Sequence, residues 1–422
     1  MLRLDYSENA INRKFIQNKK VIKRLNSASV QLFSMDKSIG TGWVELPNEI
    51  TKQEIARIKD VAKNISTEAD LFIVIGIGGS SAGAEAGVSL LKKCKTEIVF
   101  IGNNYDSRAI ADLLEHAKNK NVYVNCISKS GDTLETLVTF KIIEDFLKKK
   151  YKKKEYVGHI IITTDYEKGV LRDIASTEGY ESFVIPRTIG GRYSLFTPVG
   201  LLPMAVAGIN IEKVLNGAKD AYKKCKEPEI SSNPAVLYAL IRNYLYAKKK
   251  KMVELISSFN EKYAKLFDWW EQLFVESEGK DKKGLFVSSL IYPNKLHSFE
   301  QFIQNGTPII FETILDEETN KNDLSFVTKN EDKILPNLAE INFHSIKKAS
   351  TEAVIKAHIE AGVPLVKFSL DELTEESFGY LAYTLMYSAA ISGFMMGVNP
   401  FNQPDVDKYK NITKSLINST SN

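Results

Sequence analysis

Cysteine is scarce in this chain, with only Cys94, Cys126 and Cys225 among 422 residues. An odd number at wide spacing excludes a disulfide framework, and neither a CxxC pair nor a Cys/His metal spacing is present. Three such thiols fit a reducing, cytoplasmic compartment. No apolar run approaches the roughly twenty residues that cross a bilayer. The opening "MLRLDYSENA" also lacks the apolar core of a signal peptide, so no membrane partner is expected. A dominant charge is missing too: the net charge is +4, with 26% of residues charged. The lysine runs "KKKYKKKEY" (Lys148–Tyr156) and "AKKKKM" (Ala247–Met252) lack interleaved stacking aromatics. They read as solvated helix ends, which argues against a nucleic-acid partner.

What the chain does have is alternation. Short β-branched runs such as "LFIVIGIGG" (Leu71–Gly79), "EIVFIGN" (Glu97–Asn103), "VYVNCISKS" (Val122–Ser130), "HIIITTD" (His159–Asp165) and "FVIPR" (Phe183–Arg187) are separated by helical patterns. A second series holds "MVELISSF" (Met252–Phe259), "LFVSSLIY" (Leu285–Tyr292), "PIIFETIL" (Pro308–Leu315) and "PLVKFSL" (Pro364–Leu370). Continuous apolar runs point to strands buried on both faces, hence to parallel sheets. The fold class is therefore α/β, with two doubly wound units in tandem. Residues 1–45 show no strand signal and read as a helical arm. The first unit is expected over 46–210 and the second over 211–422, closing in a C-terminal helical segment.

Two turns at strand ends carry the chemistry. "VIGIGGSSAGAEAG" (Val74–Gly87) lets backbone N–H groups approach an anion where a helix begins. It is not a dinucleotide fingerprint, since Ser81 stands at the third glycine position and Asn103 and Asn104 replace the expected acid. Nor is it a Walker loop: Gly78 and Gly83 are spaced correctly, but Ala84 and Glu85 replace Lys and Ser/Thr. The second turn, "CISKSGDTLETL" (Cys126–Leu137), offers Ser128, Ser130 and Thr133. One cap, from Asp132 or Thr133, would serve the following helix, so three hydroxyls exceed that need. Two donor-rich turns at strand C-termini predict a pocket for a phosphomonoester.

Six motifs then follow in order: "IGIGGSSAGAEA", "ISKSGDTLET", "GGRYSLFTPVGLLP" (Gly190–Pro203), "EQLFVESEGKDKKG" (Glu271–Gly284), "LHSFEQFIQNG" (Leu296–Gly306) and "NPFNQPDVDKYK" (Asn399–Lys410). Together they resemble the phosphoglucose isomerase family, built from two sugar-isomerase (SIS) domains, in its compact bacterial form. The resemblance implies isomerisation of glucose 6-phosphate and fructose 6-phosphate without cofactor or metal, by a homodimer with shared active sites. It implies a catalytic base at Glu276, a ring-opening histidine at His297, and an arginine and a lysine at Arg192 and Lys410. Substrate contacts would be Gly79, Ser80, Ser128, Lys129, Ser130, Thr133, Gly191, Gln272 and Gln403, with Glu135 orienting the histidine. Lys129 also fits a backbone spacer.

The reaction needs residues of these types. Moving a proton between neighbouring carbons through an enediol takes a carboxylate base, an acid for the ring oxygen and positive charge beside the enediolate. Glu276 follows a helix pattern whose aromatic face (Tyr263, Phe267, Trp270, Phe274) should be buried, which would partly desolvate it. His116, His159, His344 and His358 sit inside plain helix or strand patterns and read as structural. A sugar-phosphate sensor of transcription would need a basic recognition helix at its head, which is absent, and would not need Glu276, His297 and Lys410 together. An isomerase that also takes mannose phosphates is the remaining alternative.

Overall fold

A computed structural model describes residues 2–34, 37, 40–152, 155–227, 229–319, 323–326 and 341–420. Lys153 and Lys154 of the first lysine run lie outside them. The strands are β1 (Leu2–Tyr6), β2 (Leu71–Ile75), β3 (Glu97–Ile101), β4 (Val122–Ser128), β5 (Ile160–Thr164), β6 (Glu181–Val184), β7 (Val253–Ser258), β8 (Phe286–Ile291), β9 (Ile310–Glu317), β10 (Ser325–Phe326), β11 (Ile341–Asn342) and β12 (Leu365–Leu370).

The first sheet runs β3-β2-β4-β5-β6 and is parallel throughout. All five residues of β2 and all seven of β4 are buried, as their unbroken apolar runs require. One face (Leu71, Ile73, Val124, Ile162) packs under the helices Ser107–Ala117, Leu134–Lys150 and Val170–Glu178. The other face (Phe72, Val74, Ile127, Ile161) joins a core that continues into the second half of the chain.

The second sheet runs β1-β12-β9-β7-β8. Its pairings are parallel apart from that of β1, which lies antiparallel on β12 with Leu2 opposite Leu370. This strand corrects the expectation of a purely helical start. "LRLDY" is too short to announce a strand, but its alternation buries Leu2 and leaves Arg3 outside to pair with Asp371. The helix Glu375–Met396 is apolar on every side and buried along nearly its whole length, acting as the spine between the halves.

In the first sheet the strand after β2 leaves to one side and β4 returns on the other, so the topological switch falls between β2 and β4. The glycine turn follows β2 and the hydroxyl turn follows β4. That crevice is where open α/β sheets hold their ligands.

Candidate active site

The hydroxyl turn is shaped by Gly131, whose φ of +73° suits glycine, and by Ser130, whose Oγ accepts from the Asp132 N–H at 3.2 Å. The expected side-chain cap is absent. Thr133 is the N-cap residue of the helix Leu134–Lys150, but its hydroxyl makes no capping bond and instead meets Ser128 Oγ at 2.9 Å. The Asp132 carboxylate accepts from the Val170 N–H at 3.0 Å, holding the neighbouring helix. A 17-residue helix therefore points a positive end, without a side-chain cap, into the cleft beside two hydroxyls. Ser128 is buried behind Thr133, while Ser130 and Thr133 line the opening.

The glycine turn lies across the crevice, with Gly78 at φ +56°. A Cβ added to Gly79 would sit 2.2 Å from the Gly191 carbonyl carbon and 2.5 Å from the Arg192 nitrogen. A bare glycine is what lets the glycine turn touch the short helical turn Gly191–Tyr193. Ser194 Oγ seals the contact by donating to the Gly79 carbonyl at 3.2 Å.

Arg192 is only 2% exposed and is held on every side. Its Nε donates to Ser277 Oγ at 2.8 Å, and its Nη1 reaches Gln403 Oε1 at 3.2 Å and Glu276 Oε1 at 3.1 Å. Its Nη2 donates to the carbonyls of Pro400 and Asn402. A guanidinium fixed by this many acceptors keeps one aim.

Glu276 lies within the last turn of the helix Ala264–Glu278, not after it. The helix packs Leu266, Phe267, Trp270, Leu273 and Phe274 inward, as its pattern predicts, and leans on the glycine-turn helix Ala82–Leu91. Gln272, one turn earlier, donates to Glu276 Oε2 at 3.1 Å, while its own Oε1 is buried without a partner among the described residues. Lys280 caps the helix by donating to the Glu276 and Ser277 carbonyls at 2.8 Å. Burial, and then the charge of Arg192, bring the Lys280 pKa down to about 8.

One cleft of about 590 Å³ is lined by Gly79, Ser80, Lys129, Ser130, Thr133, Glu135, Gly191, Arg192, Gln272, Glu276, Gln403 and Lys410. That volume suits a small polar ligand. Lys129 is half-buried with its pKa lowered by burial, and it donates to the Arg187 carbonyl at 3.2 Å. Lys410 is exposed, on the helix Pro404–Thr420 that crosses the mouth.

His297 stands apart. It is exposed in the first turn of the helix Leu296–Asn305 and does not line the cleft of its own chain. Sequence reasoning passed over two groups here. Ser277 joins Arg192 to the Tyr193 hydroxyl, bonded at 2.9 Å, and gave no signal beyond its place beside Glu276. Asp165 lines the cleft wall at the end of β5, and its position in "TTD" was a usable cue; Arg187 holds its carboxyl far below the usual range.

The family model described as phosphoglucose isomerase matches residues 61–422. A glucose-6-phosphate isomerase of Caldanaerobacter subterraneus is 42% identical over 389 residues, covering 89% of this chain and 86% of the relative. One from Staphylococcus saprophyticus is 40% identical over 384 residues, with the same coverage. Among solved structures, a hypothetical protein of Thermus thermophilus superposes with a TM-score of 0.88 at 27% identity, over 99% of this chain and 100% of that one. A glucose-6-phosphate isomerase of Chlamydia trachomatis shares the fold at 17% identity, with a TM-score of 0.84 over 100% of this chain and 89% of that one.

Proposed function

The chain belongs to the phosphoglucose isomerase family and interconverts D-glucose 6-phosphate and D-fructose 6-phosphate; from that premise we propose that the cleft between the two turns and Glu276 is where it does so. The reaction is an aldose–ketose isomerisation shared by glycolysis and gluconeogenesis. The observation that carries the reading is the pairing of Glu276 with Arg192 at 3.1 Å, across the cleft from a helix N-terminus without a side-chain cap.

The phosphate docks on the hydroxyl turn and the glycine turn, taking donors from Ser80, Ser130, Thr133 and the first amides of the helix, with Ser128 orienting Thr133. Lys129 and the backbones of Gly79 and Gly191 border it. The sugar then extends towards Gln272, whose unpartnered Oε1 accepts a substrate hydroxyl, and towards Gln403. Once the ring is open, Glu276 takes the proton from C2 and returns it to C1, while a proton passes between O1 and O2. The intermediate is a cis-enediol. Arg192 steadies the charge that gathers on its oxygens, and Lys410 adds a second cation at the mouth. Replacing Glu276 by Gln keeps the shape but removes the acceptor. Turnover should then fall by several orders of magnitude and exchange of the C2 proton with solvent should vanish. Exchange at the wild-type rate would move the base elsewhere.

We read the ring-opening group as His297 supplied by a second copy, with Glu135 of the receiving site orienting it. Its exposure and its absence from the lining of its own cleft support a two-fold homodimer with shared sites. Mixing Glu276→Gln chains with His297→Ala chains should restore about a quarter of wild-type activity after subunit exchange, since half the dimers gain one intact site. No recovery despite exchange would mean that one chain supplies both residues. The division into an arm (1–45) and two SIS domains (46–210 and 211–422) belongs to the same reading, as does a cytoplasmic setting, which suits three unpaired cysteines.

A further inference from the structure

The helix that carries His297 has little apolar anchorage. Ile303 is its single buried residue, and Phe299 and Phe302 are 39% and 46% exposed. Its grip on the protein is instead polar. Glu300, one turn after His297, meets Nε2 of His358 at 3.0 Å. His358 stands fully buried on the helix Phe343–Glu360, and its Nδ1 lies 2.5 Å from Oε2 of Glu312 in β9. The other Glu312 oxygen accepts from Ser257 Oγ and from the Tyr292 hydroxyl, each at 2.6 Å.

Both nitrogens of this imidazole therefore face carboxylates, which only accept hydrogen bonds. A neutral ring has one N–H and would turn a lone pair on one carboxylate; the doubly protonated ring satisfies both. Glu312 is itself buried with two further donors, so it stays put, and the cation links a fixed anion in the sheet to a movable anion on the surface helix.

We propose that Glu300 and His358 are positioning residues for His297, a buried imidazolium fastening the His297 helix to the second sheet and so setting how far His297 reaches into the site it completes. This rests on the reading of His297 as the ring-opening group.

The fastening has a pH signature. Among the described residues, the titratable groups around His358 are Glu312 from β9, Glu300 from the His297 helix and, behind Glu312, Tyr292 just after β8. Burial and the Glu312 charge push the Tyr292 hydroxyl far above its ordinary range, so it remains a donor. Burial works to lower the His358 pKa, but the bonds and charges of Glu312 and then Glu300 lift it to about 9. A raised folded-state value means that the stabilisation is complete below the ordinary histidine range and is lost as pH rises through about 9. Removing the Glu300 charge takes away one of the two lifts and brings that loss to lower pH.

Interconversion of the α and β anomers of glucose 6-phosphate needs ring opening but no transfer from carbon. Exchange NMR between the anomers thus reads the ring-opening group, and isotope exchange at C2 reads the base as well. Glu300→Gln keeps the side-chain shape at a partly exposed position, so the variant should fold. Its catalysed anomer exchange and kcat should fall together by about 10- to 100-fold, as for a misplaced catalytic group. KM should stay within a few-fold, and the alkaline loss of activity should move to lower pH. If His297→Ala leaves anomer exchange intact, the reading of His297 fails. If His297→Ala abolishes exchange while Glu300→Gln matches wild type in rate and pH profile, the positioning role is overturned. Should Glu300→Gln lose stability, His358→Gln in the same assays gives an independent measure, with a matching fall in anomer exchange expected and a wild-type profile overturning the role.

Discussion

The two sheets share a topology and diverge in what they do with it. In each, the first strand of the parallel set has later strands on both sides, leaving a crevice at the C-terminal ends between β2 and β4 and between β7 and β9. The first crevice is edged by glycines and hydroxyls whose bonds run mostly to one another, leaving a helix end without a side-chain cap. The second also opens, into a cleft of about 480 Å³, but its polar groups are already paired with one another. Asp316 at the end of β9 pairs with Lys347 at 2.9 Å and Lys367 at 3.1 Å. After β7, Asn260 accepts from the Lys262 N–H at 3.1 Å, an ordinary cap. Burial works to raise the Asp316 pKa, yet the two lysines hold it below the usual range, so this is a satisfied cluster rather than a waiting one.

The second half contributes through a helix instead of its crevice. Ala264–Glu278 leaves β7, leans on the glycine-turn helix and delivers Gln272 and Glu276 to the first crevice. The same last turn that carries Glu276 is anchored by Arg242, fully buried, which pairs with Glu278 at 2.7 Å and with Glu254 in β7. Topology supplies two equivalent places, and residue chemistry decides which becomes a site.

The contrast is sharpened by substitutions that should separate stability from binding. The largest effect is expected for Arg242→Ala, which strands two buried carboxylates. Unfolding free energy should drop by about 3–5 kcal/mol, with KM of the folded fraction little changed, as denaturant titration and steady-state kinetics would show. Wild-type stability would mean that the anchor holds nothing. Next comes Ser128→Ala with Thr133→Ala. Losing the Thr133 hydroxyl, and the Ser128 hydroxyl that orients it, removes one charge-assisted bond to phosphate worth about 1.5–3 kcal/mol, so KM should rise at least tenfold while the melting temperature barely moves. An unchanged KM would reduce the hydroxyls to turn structure. The smallest effect falls in the second crevice: Asn260→Ala removes a cap, costs about 1 kcal/mol of stability and leaves KM alone. A raised KM there would show that the second crevice also binds substrate.

The parallel strands were legible because burial on both faces demands unbroken apolar runs, and β2 and β4 carry them. The buried aromatic face beside Glu276 was legible for a similar reason, since its spacing follows the helical period. Strand β1 was not, because five residues at a sheet edge need only one buried side chain. Thr133 was expected to cap or to bind, and local sequence cannot decide between them; the choice turned on Ser128 lying 2.9 Å away. His358 looked like any helical histidine, because Glu300 and Glu312 lie 58 and 46 positions away along the chain.

By itself, the sequence determined the α/β class, the two donor-rich turns and the family, since all three rest on local patterns: apolar period, glycine at tight turns and motif order. Only the tertiary structure decided that the glycine turn meets the Gly191–Arg192 backbone through Gly79, that Arg192 is buried against Glu276, and that His297 stands outside its own cleft. Those outcomes depend on side chains distant in sequence and a few ångströms apart in space. The energies that hold them, a buried charge matched by its acceptors and a Cβ that must be absent, arise only once the chain has closed on itself.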